Sequence, residues 1–299
     1  MLRYSRGRVA YVRRLTRRLT AVAADRPPVT DALPMASKVS DTWEQGDSYE
    51  QYIGRWSRRV APLFLSWLST PPRQRWLDVG CGTGALCASI ADYCAPSSVT
   101  GVEPSPGFLS TARERLGDRV TFLQGSATQI PLEDAAVDVV VSGLVLNFIP
   151  DQHAALVEMA RVADLAGTVG AYVWDYAGEM QLIRFFWDAA VELDPNVASL
   201  DEGVRFPSCR PGALHELFTS AGLSGVDVTA IDIPAPFDSF EEYWRPFLGG
   251  QGPAPAYAMS LGQDDRARLR ERLLERMPLQ ADGSIQLRAR AWAVRGRVT

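Results

Sequence analysis

Five consecutive residues, Gly80-Cys81-Gly82-Thr83-Gly84, offer main-chain rather than side-chain chemistry. Glycines allow a tight turn and let a ligand approach the backbone with no Cβ in the way. Glu103 lies 19 residues beyond Gly84, the separation at which an acid closing the next strand accepts from both hydroxyls of a ribose. Together they specify an adenosine-type ligand. The glycines do not choose among such ligands, because Gly80-x-Gly82-x-x-Ala85 also satisfies the dinucleotide fingerprint. Asp78 does more. It stands two residues before the first glycine, where a dinucleotide-binding strand keeps an apolar side chain, and a carboxylate there meets a cationic amino group directly or through water.

Other chemistries fall away on residue counts. Lys38 is the only lysine among 31 basic residues and sits in Ser37-Lys38-Val39, which fits neither a phosphate loop nor the Tyr-x-x-x-Lys pair of short-chain dehydrogenases. The two histidines, His153 and His215, are 62 residues apart, not one helical turn as zinc peptidases need. Gly-x-Ser-x-Gly is absent, which removes the nucleophile turn of α/β-hydrolases. Cys81, Cys87, Cys94 and Cys209 show no Cys-x-x-Cys spacing, so no metal is expected and reduced thiols in a cytoplasm are.

The elements that must position the glycine turn follow from periodicity. Val60, Leu63, Phe64, Trp67 and Leu68 stripe one helical face before Pro71-Pro72. Strand and helix signals then alternate: a strand over 76–79, a helix over 85–93, a strand over 99–102, and a helix with Phe108, Ala112 and Leu116 on one face. Strands over 120–123, 137–141 and 168–174 follow, with a helix striped by Ala155, Leu156, Met159 and Ala163 before the last of them. Such alternation predicts a parallel sheet covered on both faces. Residues 226–233 read as a further strand, and the alternation from Ile285 to Val294 as an edge or antiparallel one. Two connections, about 176–222 and 234–283, carry helices enough to cap the sheet.

With 46% apolar and 22% charged residues in 299, the chain has an ordinary globular composition. Its most apolar stretch, 139–149, is 11 residues long, against about 20 for a membrane span, so no span is expected. Charge is uneven: residues 1–40 hold eight arginines and Lys38 against Asp25 and Asp31, a net of +7 in a chain whose total is −4. A basic helix for a membrane or nucleic acid, or a transit peptide, would look like this. The reading preferred is a disordered, solvated extension over 1–40, with one domain over 41–299 and no nucleic-acid partner.

Taken in order, Leu77 to Gly84, Gly101-Val102-Glu103-Pro104-Ser105, Ile130-Pro131-Leu132 with Asp138, and Ser142 to Pro150 resemble the class I S-adenosylmethionine-dependent methyltransferases. The group resembled is the small-molecule one that includes the ubiquinone and menaquinone enzymes, and the likeness runs from about Tyr49 to Trp174. It implies a Rossmann-like, seven-stranded, mostly parallel sheet with an antiparallel last strand and helices on both faces. It implies S-adenosylmethionine as cofactor, the glycine turn holding its methionine part, Glu103 its ribose and the Gly125-Ser126-Ala127 segment its adenine. Ser126 stands where many relatives carry an acid, which leaves the Ala127 N–H as the adenine donor. The expected cofactor set is thus Asp78, Gly80, Cys81, Gly82, Gly84, Glu103, Pro104, Ser126, Ala127 and Ser142. Tyr49 and Arg55 fold over from ahead of the first strand, Arg55 toward the carboxylate.

The implied activity is methyl transfer to a small acceptor, aromatic or lipid-like, by in-line displacement, in which positioning dominates. Asn147 and Asp175 are the catalytic candidates, ahead of Tyr176, Glu179, Arg245 and His153. Trp187, Phe240, Tyr243, Trp244 and Phe247 would line an apolar pocket, and the glycines of 247–255 would hinge a lid. Two alternatives stand beside this reading: an NAD(P)-dependent oxidoreductase, and a non-catalytic S-adenosylmethionine-binding module.

Overall fold

In a computed structural model that describes residues 53–250 and 252–299, the strands β1 (Arg75–Val79), β2 (Ser98–Glu103), β3 (Thr121–Gln124), β4 (Val137–Gly143), β5 (Ala163–Trp174), β6 (Ser224–Phe237) and β7 (Ile285–Arg297) form one sheet. Its order is β3-β2-β1-β4-β5-β7-β6. Neighbours from β3 to β5 pair parallel, whereas β7 pairs antiparallel with both β5 and β6. Only β7 therefore runs against the rest. The sequence placed it as an edge or antiparallel strand; it is antiparallel and internal, and β6 takes the edge. Burial along β7 alternates: Ala289, Ala291 and Ala293 are wholly inaccessible on the face toward α5 (Gln181–Leu193), while Gln286 and Arg288 on the other face are exposed.

The helices before and between the first strands are α1 (Arg55–Leu68), α2 (Ala85–Tyr93) and α3 (Pro106–Leu116). On α1 the striped residues Val60, Phe64 and Leu68 are buried, while Leu63 is 47% exposed. Phe64 and Leu68 lie so close over Gly170 of β5 that a Cβ there would come within 3.2 Å of both. The face of α3 that packs inward is Leu109, Ala112 and Leu116, one residue on from the predicted Phe108. Ser105 accepts from the Phe108 N–H and Pro106 opens the helix, a start signal of ordinary kind.

Between β4 and β5 runs α4 (Gln152–Val162), capped by Asp151. Because β1 leads outward to β2 while β4 leads outward the other way to β5, right-handed crossovers put α2 and α4 on opposite faces. Their packing agrees, since α1 lies against α2, whereas α4 lies against α7 (Pro211–Ser220).

After β5 come α5 (Gln181–Leu193), α6 (Glu202–Arg205) and α7, and after β6 come α8 (Phe240–Trp244), α9 (Pro253–Ser260) and α10 (Gln263–Arg276). The second connection begins later than predicted, at Asp238, because β6 extends to Phe237 along its register with β7. The five aromatics assigned to a pocket are instead core. Trp187, Tyr243 and Phe247 are fully buried, Phe186 stacks on Phe247 at 4.6 Å, and the Tyr243 hydroxyl donates to the Leu182 carbonyl at 3.0 Å. On either side of the expected hinge, Phe247 and Ala254 are both wholly inaccessible. The described residues all fall within one compact unit, Ser40–Thr299, and none of their helices is long and apolar enough to cross a membrane. The extension at 1–40, its Arg-rich stretch and Tyr49 lie outside the described residues.

Candidate active site

Strand order reverses at β1, whose neighbours β2 and β4 are reached by crossovers in opposite directions. In such sheets the carboxyl ends of the strands part there and leave a crevice. The glycine turn is pinned at its mouth. Gly80 and Cys81 both donate to the Val102 carbonyl, at 2.8 and 3.1 Å, and Gly84 donates back to Cys81 at 2.9 Å. Gly80, Gly82 and Gly84 take φ of +73°, +54° and +85°, which L side chains rarely adopt.

Two of these glycines serve packing and one serves approach. A Cβ on Gly80 would meet Val145 Cγ1 at 2.5 Å, and one on Gly84 would meet Leu116 Cδ1 at 2.8 Å. A Cβ on Gly82 would meet nothing within 4 Å. The main chain is bare at Gly82, as a ligand-bearing turn requires. The Gly80 contact also joins the turn to the segment after β4, which holds Val145 and the short 3-10 helix Leu146–Phe148.

Glu103 closes β2 and is 7% exposed. One carboxylate oxygen accepts from Gly82 N–H at 3.1 Å and the other from Ser105 N–H at 3.0 Å. These bonds fix a negative charge beside the bare turn while leaving lone pairs on both oxygens. Pro104 is exposed next to it, and Gly125 N–H bonds the Glu103 carbonyl at 3.3 Å. This brings the Ser126-Ala127 segment to the end of the neighbouring strand. Ser126 is exposed, with its hydroxyl 3.3 Å from that of Thr128.

Asp78 is placed differently from expectation. Only 1% exposed, its carboxyl turns to the Cys87 thiol on α2, which donates to it at 3.2 Å. Burial pushes its pKa up to about 7, against the pull of the Cys87 bond and with a further push from Glu103. Cys87 in turn is raised by its hydrogen bond to Cys81 and by burial. Cys87 went unnoticed in the sequence because only the fold shows which way α2 faces. Cys81 packs its sulfur over Gly101, where a Cβ would come within 2.8 Å.

Beyond β4, Ser142 Oγ and both side-chain amide atoms of Asn147 are buried and have no hydrogen-bond partner among the described residues. Buried polar atoms are seldom left so. Asp175 is otherwise engaged. Its carboxylate accepts from Glu179 N–H at 2.8 Å and its carbonyl from Gly178 and Met180 N–H, so that it caps the turn leaving β5. Arg55 is likewise committed, bonding Glu242 at 2.7 Å and lying over the Trp56 and Phe237 rings. The Glu179 carboxylate takes a bond from Gln181, His153 is exposed with its ring at the Ser220 carbonyl, and Arg245 is exposed. Tyr176 is buried against Phe206. Sequence reasoning missed one more acid, Glu202, 2% exposed and bonded by the Trp187 indole N–H, whose pKa burial pushes up to about 7. No cluster of three metal-ligating side chains occurs among the described residues.

Comparison with known proteins supports the same frame. Residues 77–169 match the family model described as a methyltransferase domain. The malonyl-[acyl-carrier protein] O-methyltransferase of Serratia marcescens is 36% identical over 130 residues, 44% of this chain and 49% of that one. The demethylmenaquinone methyltransferase of Roseiflexus castenholzii is 33% identical over 104 residues, 34% of this chain and 44% of that one. The chain thus spans about half the length of the curated relatives it matches. Among solved structures, a phosphoethanolamine N-methyltransferase 2 of Haemonchus contortus in complex with S-adenosyl-L-methionine shares the fold, with a TM-score of 0.52 at 17% identity over 85% of this chain and 56% of that one.

Proposed function

We propose that the chain, whose residues 77–169 match the model of a methyltransferase domain, binds S-adenosylmethionine and transfers its methyl group to a small-molecule acceptor. The observation that carries this reading is the Glu103 carboxylate, buried and held by Gly82 and Ser105 N–H beside a turn that is bare at Gly82. A carboxylate so held suits two adjacent hydroxyls, and the open turn suits a chain lying across it. The unpartnered Ser142 Oγ supports the fit on the β4 side.

When bound, S-adenosylmethionine supplies a methyl group already activated by a sulfonium. The residues of this chain have the simpler tasks of binding, orienting and excluding water. Glu103 accepts from the ribose hydroxyls, the Gly80–Gly84 main chain and Ser142 hold the methionine part, and Pro104, Ser126 and the Ala127 N–H border the adenine. Asp78 acts through its field from beneath the turn, favouring a cationic ligand in its ionised form. Asp175 and Arg55 serve structure. The proposed acceptor is a small molecule, and the proposed setting is the cytoplasm.

Calorimetric titration tests the reading. S-adenosylmethionine binds the wild-type chain and NAD does not, while Glu103→Gln weakens the first by tenfold or more, about 1.4 kcal/mol. Binding of NAD alone would overturn it in favour of an oxidoreductase.

A further inference from the structure

Beneath the glycine turn a pair of side chains joins its two ends. Asp78 is the fourth residue of β1, opposite Gly101 of β2 and Val141 of β4. Cys87 is the third residue of α2, on the inward face it shares with Leu86 and Ile90. Across nine residues of chain the Cys87 thiol donates to the Asp78 carboxyl at 3.2 Å, with Asp78 1% exposed and Cys87 wholly inaccessible. The other ties of the turn are main-chain bonds, from Gly80 and Cys81 to the Val102 carbonyl and from Gly84 to that of Cys81. Methyl transfer gives the thiol no task, and burial alone would be met by an apolar side chain.

We propose that Cys87 is a positioning residue for the cofactor site: its thiol ties the Asp78 carboxyl beneath the turn and favours the ionised form that a cationic ligand lying on the turn requires. This rests on the S-adenosylmethionine reading for the identity of that ligand, whereas the tie itself belongs to the free chain. A thiol is a weak donor toward a neutral oxygen but gains when the acceptor is charged and water is excluded. Its proton is secure, because the neighbouring Cys81 thiol and burial push the Cys87 pKa up, so Cys87 stays a donor throughout the range in which Asp78 titrates. Burial, the largest influence, and the Glu103 carboxylate on β2 push the Asp78 pKa up, and Cys87 opposes both through its thiol and its main-chain N–H. The acid of β4, Asp138, lies at the opposite end of that strand, paired with Arg75. A cationic amino group seated above the turn adds its pull to that of Cys87. The Asp78 O–H bond then breaks, the oxygen keeps the electron pair, and the proton leaves to solvent as the cation is taken up.

The test reads the carboxyl in the free chain by carbon-13 NMR of aspartate-labelled protein, Asp78 being the signal absent from Asp78→Asn. Asp78 titrates at about 7 in wild type and close to that in Cys87→Ser, which keeps a donor. In Cys87→Ala and in the space-filling Cys87→Val it titrates higher by about half a pH unit or more. A merely space-filling role would lower the melting temperature without moving the titration. Calorimetry in two buffers of different ionisation enthalpy then counts protons. At about pH 6.5, wild type and Cys87→Ser release a proton on binding S-adenosylmethionine and Asp78→Asn releases none, while the Ala and Val variants bind about threefold more weakly than the Ser variant. That deficit closes by about pH 8, where loss of the ligand's own ammonium proton, at about 7.7–8.0, affects all variants alike. A titration unmoved in the Ala and Val variants, or moved equally in Cys87→Ser, overturns the inference. Binding of S-adenosylmethionine by wild type without proton release overturns the coupling to the ligand and leaves the cofactor reading intact. A moved titration in a chain that does not bind S-adenosylmethionine sustains the tie and sinks the cofactor reading.

Discussion

At the scale of single residues, two buried acids hold their protons into the neutral range, and this has a definite sign for stability. Burial raises Asp78 and Glu202 to about 7 from ordinary values of 3.8 and 4.5. The folded chain therefore binds more protons than the unfolded chain between about pH 4 and pH 7. Their contribution is complete below that window and is lost as pH rises through it, each by roughly 1.4 kcal/mol per unit at most. Glu202→Gln, which keeps an acceptor for the Trp187 indole, should flatten the fall in melting temperature between pH 5 and pH 7.5 relative to wild type. An unchanged slope would mean that Glu202 is already ionised. The sequence displayed Asp78 but not its partner. Its place before Gly80 was legible from spacing, whereas the turn of its carboxyl toward Cys87 depends on how α2 sits on β1.

Among elements, the glycine turn and the segment after β4 behave as one piece because Gly80 has no room for a side chain. Alanine there would combine a φ of +73° with a contact of 2.5 Å to Val145. Gly80→Ala should cost about 1–3 kcal/mol of stability in denaturant titration, and relief by Val145→Ala in the double variant would identify the contact as the cause. Periodicity found every strand and most helices here, since each buried strand is a short apolar run between turn residues. It failed where two explanations share one pattern. The aromatics of α5, α8 and the turn after α8 fill the core of the late connections rather than a cavity.

For the whole molecule, β7 is the closing piece. It pairs with β5 from Thr168 to Trp174 and with β6 from Ser224 to Phe237. Deleting 285–299 should leave β6 with no neighbour in the sheet, and circular dichroism should show loss of cooperative unfolding rather than a trimmed domain. The late helices are tied to the body by charge as well, through the bond from Arg55 on α1 to Glu242 on α8. Both groups are about one-third exposed, so screening keeps the gain small. Arg55→Glu and Glu242→Arg should each lower the melting temperature by a few degrees, and the double exchange should restore part of it.

The internal place of β7 also sets a schedule for biosynthesis. About fifty residues separate Phe237, at the end of β6, from Ile285, at the start of β7, and at ~5–20 residues per second the ribosome needs roughly 3–10 s to make them. Throughout that interval β5 offers a bare edge and β6 has no partner, the state in which nascent sheets recruit foreign strands. A synonymous slowing of translation between Asp238 and Ser284 should therefore raise the insoluble fraction without altering one residue of the finished protein.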